Sequence, residues 1–256
     1  MPAPTNLPAA LFGHAASSPE EPWLFRAEGW DWRWHSWREI AREVRTRAES
    51  LAASAAGSRV TFPYTAQPEA IVFDLAVQAA GLMAVPFSGP PPPHHPEEGR
   101  GSEGAGGAVV VRNGEPVELT AAELIAMANR LQELIAPSRG SEIVVLSGSI
   151  EDPDERAMLS WATLAGAAVV LEPNPALRVA TAAWARPTVF HGTAAELAVL
   201  RDWAAREKPS WLRRSPRLPF RRLRTVLVTG PEALGQEEKE FWEGRWVRVA
   251  GLSAMS

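Results

Sequence analysis

Residues 142–171 read EIVVLSGSIEDPDERAMLSWATLAGAAVVL, and the reading of this stretch decides the fold class. Glu142–Leu146 is β-branched and apolar after its first residue, which predicts a strand buried on both faces. Asp152 offers a side-chain oxygen to the amides of a first helical turn. Pro153 then supplies a fixed φ where no N–H is needed, so a helix starts there. Gly166 ends it, because glycine takes the left-handed conformation without a Cβ clash. Ala167–Leu171 is a second apolar strand. Two buried strands joined by a helix make a parallel pair with a right-handed crossover.

The alternation extends in both directions. Downstream, Asn174-Pro175 starts a helix and Thr188–Phe190 is a short strand. Thr193-Ala194-Ala195-Glu196 is a capping box, in which the Thr hydroxyl takes an amide of the first turn and the Glu reaches back to the cap. Thr225–Val228 reads as a strand, Gln236–Trp242 as a helix and Trp246–Val249 as the last strand. Upstream, Ala108–Val111 is strand-like, and the capping box Thr120-Ala121-Ala122-Glu123 opens a helix to about Ile135.

Nearer the N-terminus, Leu24-Phe25-Arg26 precedes a turn at Glu28-Gly29. Trp30, Trp32 and Trp34 then alternate with Asp31, Arg33 and His35, which is a hairpin pattern. A third capping box, Ser36-Trp37-Arg38-Glu39, starts a helix with Trp37, Ile40, Ala41, Val44, Ala48 and Leu51 on one face. Arg59–Tyr64 and Leu82–Phe87 read as strands around a helix that begins at Pro68 and closes at Gly81. The expected architecture is α/β, with mostly parallel sheets flanked by helices and an N-terminal Trp-rich hairpin.

The chain of 256 residues is 46% hydrophobic and 22% charged, which excludes wholesale disorder. It contains no cysteine, so disulfides, thiolate metal sites and a cysteine nucleophile are excluded. A net charge of −4 gives no general pull towards nucleic acid or anionic lipid. Residues 89–107, GPPPPHHPEEGRGSEGAGG, have the composition of a linker. The expected organisation is therefore a flexible N-terminus at 1–22, a unit at 23–88, the linker at 89–107 and a unit at 108–256, the two units packing as one body. The N-terminus lacks the basic region and long apolar core of a secretory signal. The uncharged run Ala157–Leu171 is shorter than the roughly 20 residues that cross a bilayer, so a cytoplasmic protein with no membrane partner is expected.

Several segments carry a resemblance in their order. They are Ser36-Trp37-Arg38-Glu39-Ile40, Ala79-Ala80-Gly81-Leu82-Met83-Ala84-Val85-Pro86-Phe87 and Gly166-Ala167-Ala168-Val169-Val170-Leu171. Arg186-Pro187-Thr188-Val189-Phe190-His191-Gly192, the run from Leu223 to Leu234 and the ending Ala250-Gly251-Leu252-Ser253-Ala254 follow. Together they resemble the N-terminal portion of the adenylate-forming superfamily of acyl-CoA synthetases, aryl-CoA ligases, peptide-synthetase adenylation domains and luciferases. The resemblance implies ATP-dependent activation of a carboxylate to an acyl-adenylate. It makes Gly230, Pro231, Glu232, Gly251 and Ser253 the vestige of a nucleotide site.

The same comparison marks departures. A Ser/Thr/Gly-rich loop ending in Lys should wrap the triphosphate between the strand at Ala108–Val111 and the helix at Thr120. Here the interval is Arg112-Asn113-Gly114-Glu115-Pro116-Val117-Glu118, a turn without Lys in which two Glu would repel phosphate. Ala254 stands where the family has its magnesium-binding Glu, and Ala250 where it has the adenine-stacking Tyr. The rest of the family's large domain and its Lys-bearing C-terminal domain are absent from the sequence.

Other candidates are weaker. Trp211, Arg213, Arg214, Arg217, Arg221 and Arg222 form the one concentrated basic stretch and a possible partner surface, although the balance favours a solvated connector. His94-His95 have no further ligands at metal spacing, Ser147-Gly148-Ser149 lacks the nucleophile-elbow frame, and His191 has no triad partner. No residue is assigned a catalytic or metal role, and no cofactor is expected. Three readings stay open. The first is a non-catalytic relative acting as a binding or companion subunit, with an intact acyl-activating enzyme or an acyl carrier protein as partner and nucleic acid disfavoured. The second is a ligase completed by a second polypeptide, the one case that would need ATP and magnesium. The third is an unrelated α/β small-molecule-binding module.

Overall fold

The stretch 142–171 folds as β7 (Ile143–Leu146), α5 (Pro153–Ala165) and β8 (Ala168–Leu171), and β7 pairs with β8 in parallel, Val144 opposite Val169. The Asp152 carboxylate accepts from the Asp154 and Glu155 amides at 2.9 and 3.0 Å. Gly166 holds φ +72, and a Cβ there would lie 2.8 Å from the His14 ring, so this residue must be glycine on two counts.

The computed structural model describes residues 4–28, 31–54, 56–65, 67–88, 106–112, 114–135, 142–205, 220, 222–229 and 234–252. Ahead of β7 the chain forms α1 (Leu7–Ser17), β1 (Pro22–Glu28), β2 (Asp31–Ser36), α2 (Trp37–Leu51), β3 (Arg59–Pro63), α3 (Pro68–Ala79), β4 (Met83–Phe87), β5 (Gly107–Arg112), β6 (Glu115–Thr120) and α4 (Ala121–Leu134). After β8 come α6 (Pro175–Ala185), β9 (Val189–Thr193), α7 (Ala194–Ala205), β10 (Thr225–Thr229), α8 (Gln236–Glu243) and β11 (Arg248–Gly251).

Among the described residues these strands make two sheets. The larger runs β11-β10-β9-β7-β8-β1-β2 and the smaller β3-β4-β5-β6. Each is parallel except for one antiparallel edge strand, β2 or β6. Each sheet takes strands from both sides of residues 89–107: β1 pairs with β8, and β4 pairs with β5.

One apolar core includes residues of both sheets and of α1 to α5, such as Leu24, Val144, Leu75, Leu124 and Met158. A second lies on the other face of the larger sheet, where Val145, Phe190 and Val226 meet α6, α7 and α8. The three capping boxes form as the spacing predicts. Ser36, Thr120 and Thr193 accept from the amides of Glu39, Glu123 and Glu196, and each carboxylate returns to the cap amide. Trp23 and Trp37 are buried and stacked at 4.5 Å. Trp32 stacks on Trp184 of α6 at 4.1 Å, while Trp34 stays half exposed. Trp30 lies outside the described residues.

Two expectations need correction. The N-terminus is not flexible over residues 7–17: it is α1, capped by the Asn6 side chain on the Ala9 amide at 2.7 Å, with Leu7 and Leu11 buried. Pro8 does not prevent this, since the first turn needs no donor there. The last strand begins at Arg248 rather than Trp246, because α8 ends in a backbone closure that takes up Trp246 and Val247. No helix among the described residues is long and apolar enough to cross a membrane.

Between α3 and α5, Arg156 donates to Asp74 at 2.6 Å and to the Ile150 carbonyl at 2.9 Å, with both ionic side chains fully buried. Gln78 adds a 2.7 Å bond to the same carboxylate. Removing one partner strands a charge out of reach of water, which costs about 3–5 kcal/mol, whereas replacing both by apolar groups is close to neutral. Arg156→Met should therefore destabilise by about that amount, and adding Asp74→Leu should recover most of it. Urea unfolding of the two variants checks this.

Candidate functional site

The chain leaves the adjacent strands β7 and β9 in opposite directions, towards β8 through α5 and towards β10 through α7. This opens a crevice at their carboxyl ends, the place where open α/β sheets bind ligands. The smaller sheet converges on it. The Val111 amide, near the end of β5, donates to the Glu151 carbonyl at 2.7 Å, and the Ser88 amide, after β4, donates to the Glu151 carboxylate at 3.0 Å.

Glu155 sits at the centre, at the third position of α5. Its carboxylate accepts from the Ser147 and Gly148 amides at 3.2 and 3.1 Å, and from His191 Nδ1 of β9 at 3.2 Å. Arg178 of α6 comes within 3.6 Å of the same carboxylate. It donates to the His191 carbonyl at 2.6 Å and to Glu196 at 3.1 Å. Beside them Glu172, just past β8, accepts from the Thr181 hydroxyl and the Asn174 amide, both at 3.0 Å. Glu155, Arg178, His191 and Glu172 are all buried. His191 Nε2 and Arg178 Nε are buried without a partner.

The electrostatics follow from this packing. Burial alone would raise Glu155, but the His191 hydrogen bond and charge, the Arg178 guanidinium and the Ser147 amide together hold it down to about 2. Asp154 is pushed up, first by burial; the His191 charge opposes this, and the neighbouring Asp152 and Glu155 reinforce it. Burial, with the Glu155 charge, also pushes the Tyr64 phenol well above its ordinary value.

The residues do not fit a triphosphate with its magnesium. β5 and β6 pair down to Arg112 opposite Glu115, and Gly114 turns the chain at φ +84, so only residues 113 and 114 separate strands that a phosphate cradle would hold apart. The amides at Ser147 and Gly148, which could hold an anion, are occupied by the protein's own carboxylate. Three more acids stand at the start of α5: Glu151, which accepts from the Ser88 amide, Asp152, which caps the helix, and Asp154. Among the described residues no three His, Asp or Glu side chains converge as a metal site.

Glu118 is a correction. It was expected to repel phosphate at the turn, but it ion-pairs with Arg59 across the smaller sheet, leaving Glu115 as the carboxylate at the turn. Of the predicted nucleotide positions, Ala250 and Gly251 lie in β11 opposite Leu227 and Val228. They share the carboxyl edge with His191, with β10 between β11 and β9. Gly230, Pro231, Glu232, Ser253 and Ala254 lie outside the described residues, as do Trp211, Arg213, Arg214, Arg217 and Arg221. Arg222 is exposed just before β10.

Glu155, Arg178 and Glu172 are not among the residues that the sequence singles out. The spacing Asp152-x-x-Glu155 was the one available signal for Glu155, since it repeats the three capping boxes. Nothing local marks Arg178, which lies among apolar neighbours on α6.

Because Glu155 is depressed from an ordinary 4.5 to about 2, its stabilisation is complete above pH 4.5 and is lost as pH falls towards 2. The shift corresponds to on the order of 3 kcal/mol. Unfolding free energy should fall more steeply for the wild type than for Glu155→Gln over this window. Parallel profiles in urea titrations would contradict the assignment.

At the level of sequence, no protein-family profile and no curated protein matches the chain. Solved structures do. The nonribosomal peptide synthetase FmoA3, solved with AMPPNP bound, superposes with a TM-score of 0.72 at 15% identity. It is matched over 98% of this chain and 32% of its own, so this chain spans about a third of that synthetase. The N-terminal domain of FACL13 from Mycobacterium tuberculosis gives 0.70 at 12% identity, over 96% of this chain and 75% of its own. The fatty acyl-adenylate ligase from L. pneumophila, in complex with acyl adenylate and pyrophosphate, gives 0.67 at 12% identity, over 94% and 52%. At these identities the likeness is one of fold: this chain has the α/β architecture of the N-terminal portion of the adenylate-forming enzymes.

Proposed function

We propose that the protein is a non-catalytic relative of the AMP-dependent acyl-CoA synthetases and ligases, working in the cytoplasm as a binding or companion subunit in acyl or carboxylate activation. The observation that carries this reading is the β5–β6 hairpin. Register runs without a break to Arg112 and Glu115, in the interval where the resemblance puts a lysine-terminated phosphate loop. FmoA3 was solved with AMPPNP and the L. pneumophila ligase with acyl adenylate and pyrophosphate. The present chain offers a triphosphate a closed turn and a row of carboxylates.

Losing one preorganised charge-stabilising group costs about 10²–10³ in rate. The sequence lacks the loop, its lysine and the Glu replaced by Ala254 together. Losses of this kind do not simply multiply, but together they remove the groups that the resemblance assigns to neutralising the developing charge on phosphate. What the fold retains is an α/β body with two sheets around a shared core, which suits binding to an intact acyl-activating enzyme or to a carrier protein.

Calorimetric titration with ATP and magnesium should give no saturable heat below the millimolar range, and pyrophosphate exchange with a panel of carboxylic acids should stay at background. Micromolar binding with pyrophosphate release on adding a carboxylate would overturn the reading. Adenylation by the chain alone would then take its place, whereas exchange that appears only when a second polypeptide is added would favour a ligase completed by that polypeptide.

A further inference from the structure

Trp246 combines two unfavourable features at one position. It is 93% exposed, and it holds φ +63, in the left-handed region where a bulky side chain is a genuine outlier. The cause is local. α8 closes with the Trp246 amide on the Glu243 carbonyl at 2.9 Å and the Val247 amide on the Trp242 carbonyl at 3.1 Å. This is a Schellman closure, and its left-handed position is the one that glycine normally fills. A glycine would satisfy the turn without strain and without leaving an indole in water. Strain and exposure together are a signature of function rather than of folding.

The surroundings define what the indole would meet. The Arg245 guanidinium lies 3.7 Å over the Phe241 ring and donates to the Phe241 carbonyl at 3.3 Å. Arg248 donates to the Glu133 and Leu134 carbonyls at 3.2 and 3.0 Å. In these contacts both arginines are held by neutral groups, which fix the side chains and leave their charge in place. The Arg248 amide donates to the Arg224 carbonyl at 2.7 Å, which brings Arg224, and Arg222 two residues before it, to the same end of the sheet. The adjacent acid, Glu243, is 3.8 Å from Lys239. This end of the larger sheet therefore carries Arg245 and Arg248 on either side of a projecting indole, with Glu243 the acid nearest in sequence.

Tryptophan and arginine are the side chains that most often dominate protein–protein binding energy. Single-stranded nucleic acid is bound instead on successive aromatic platforms along a basic groove. Here the exposed indole has Glu243 three residues away, and a carboxylate beside it favours a protein over a nucleic-acid backbone.

We propose that Trp246 anchors the docking of a small acidic carrier-type protein, its indole entering an apolar cleft of the partner while Arg245 and Arg248 meet the carboxylates around that cleft. This deepens the companion reading and rests on it, because it assigns that reading a partner chemistry and a surface.

The test uses the full chain and a purified acyl carrier protein in isothermal titration, with Trp246→Gly and Arg245→Glu as variants. The wild type should bind saturably, and raising the salt should weaken binding as expected for a charged contact. Trp246→Gly should weaken it at least tenfold while its melting temperature stays level or rises, because glycine relieves the left-handed backbone. Arg245→Glu should also weaken it.

No saturable binding by the wild type would overturn the proposal. So would unchanged affinity in Trp246→Gly, a fall in that variant's melting temperature, or tighter binding to a single-stranded RNA than to the carrier. The nucleotide titration reads the companion function separately. A chain that binds ATP yet loses the carrier on Trp246→Gly keeps this surface and loses only that reading.

Discussion

Four elements meet at the carboxylate of Glu155: the loop after β7, the start of α5, the buried arginine of α6 and the histidine of β9. A buried carboxylate is tolerable only where donors surround it, and here two amides, an imidazole and a guanidinium do so. The result is an internal anion at the topological switch of the larger sheet. In an open α/β fold this is where a ligand's negative charge would be welcomed. The chain fills that place from within, and the neighbouring Glu151, Asp152 and Asp154 make the crevice hostile to a second anion.

The hairpin after β5 works in the same direction by different physics. A cradle for phosphate needs several residues of backbone free of sheet pairing, so that their amides can point at the ligand. β5 and β6 instead pair down to the turn, and their amides are spent on each other. The end of β5 is then pinned to Glu151. Two sheets that share one apolar core thus meet at an edge closed by hydrogen bonds and by carboxylates.

With the amides after β7 and along the β5–β6 hairpin taken up internally, the outer surfaces remain open to contact. Most of the bulky apolar side chains are buried or stacked, as Trp23 is on Trp37 and Trp32 on Trp184. Trp246 is neither. It stands at the opposite end of the strands from the closed crevice, just ahead of the edge strand β11, so contact there would not depend on the nucleotide edge.

Most of the secondary structure was legible because it is set by neighbours in sequence. Three capping boxes, the Pro residues that open α3, α5 and α6, and the Gly that closes α5 act within one helical turn, and each formed where its spacing placed it. α1 escaped because a short run with a proline in its first turn owes its stability to burial of Leu7 and Leu11 against distant elements. The short turn between β5 and β6 was also legible, in an interval with no lysine, no Ser/Thr run and a single glycine. The pairing of Glu118 with Arg59, 59 residues away, was not. Nor was the convergence of Glu155, Arg178 and His191, whose partners come from three elements that only the sheet order brings together. The sequence by itself determined which segments are helix and strand, since those depend on contacts a few residues apart. Only the tertiary structure decided where the buried charges meet and which tryptophans are buried, because those follow from long-range packing that no local spacing encodes.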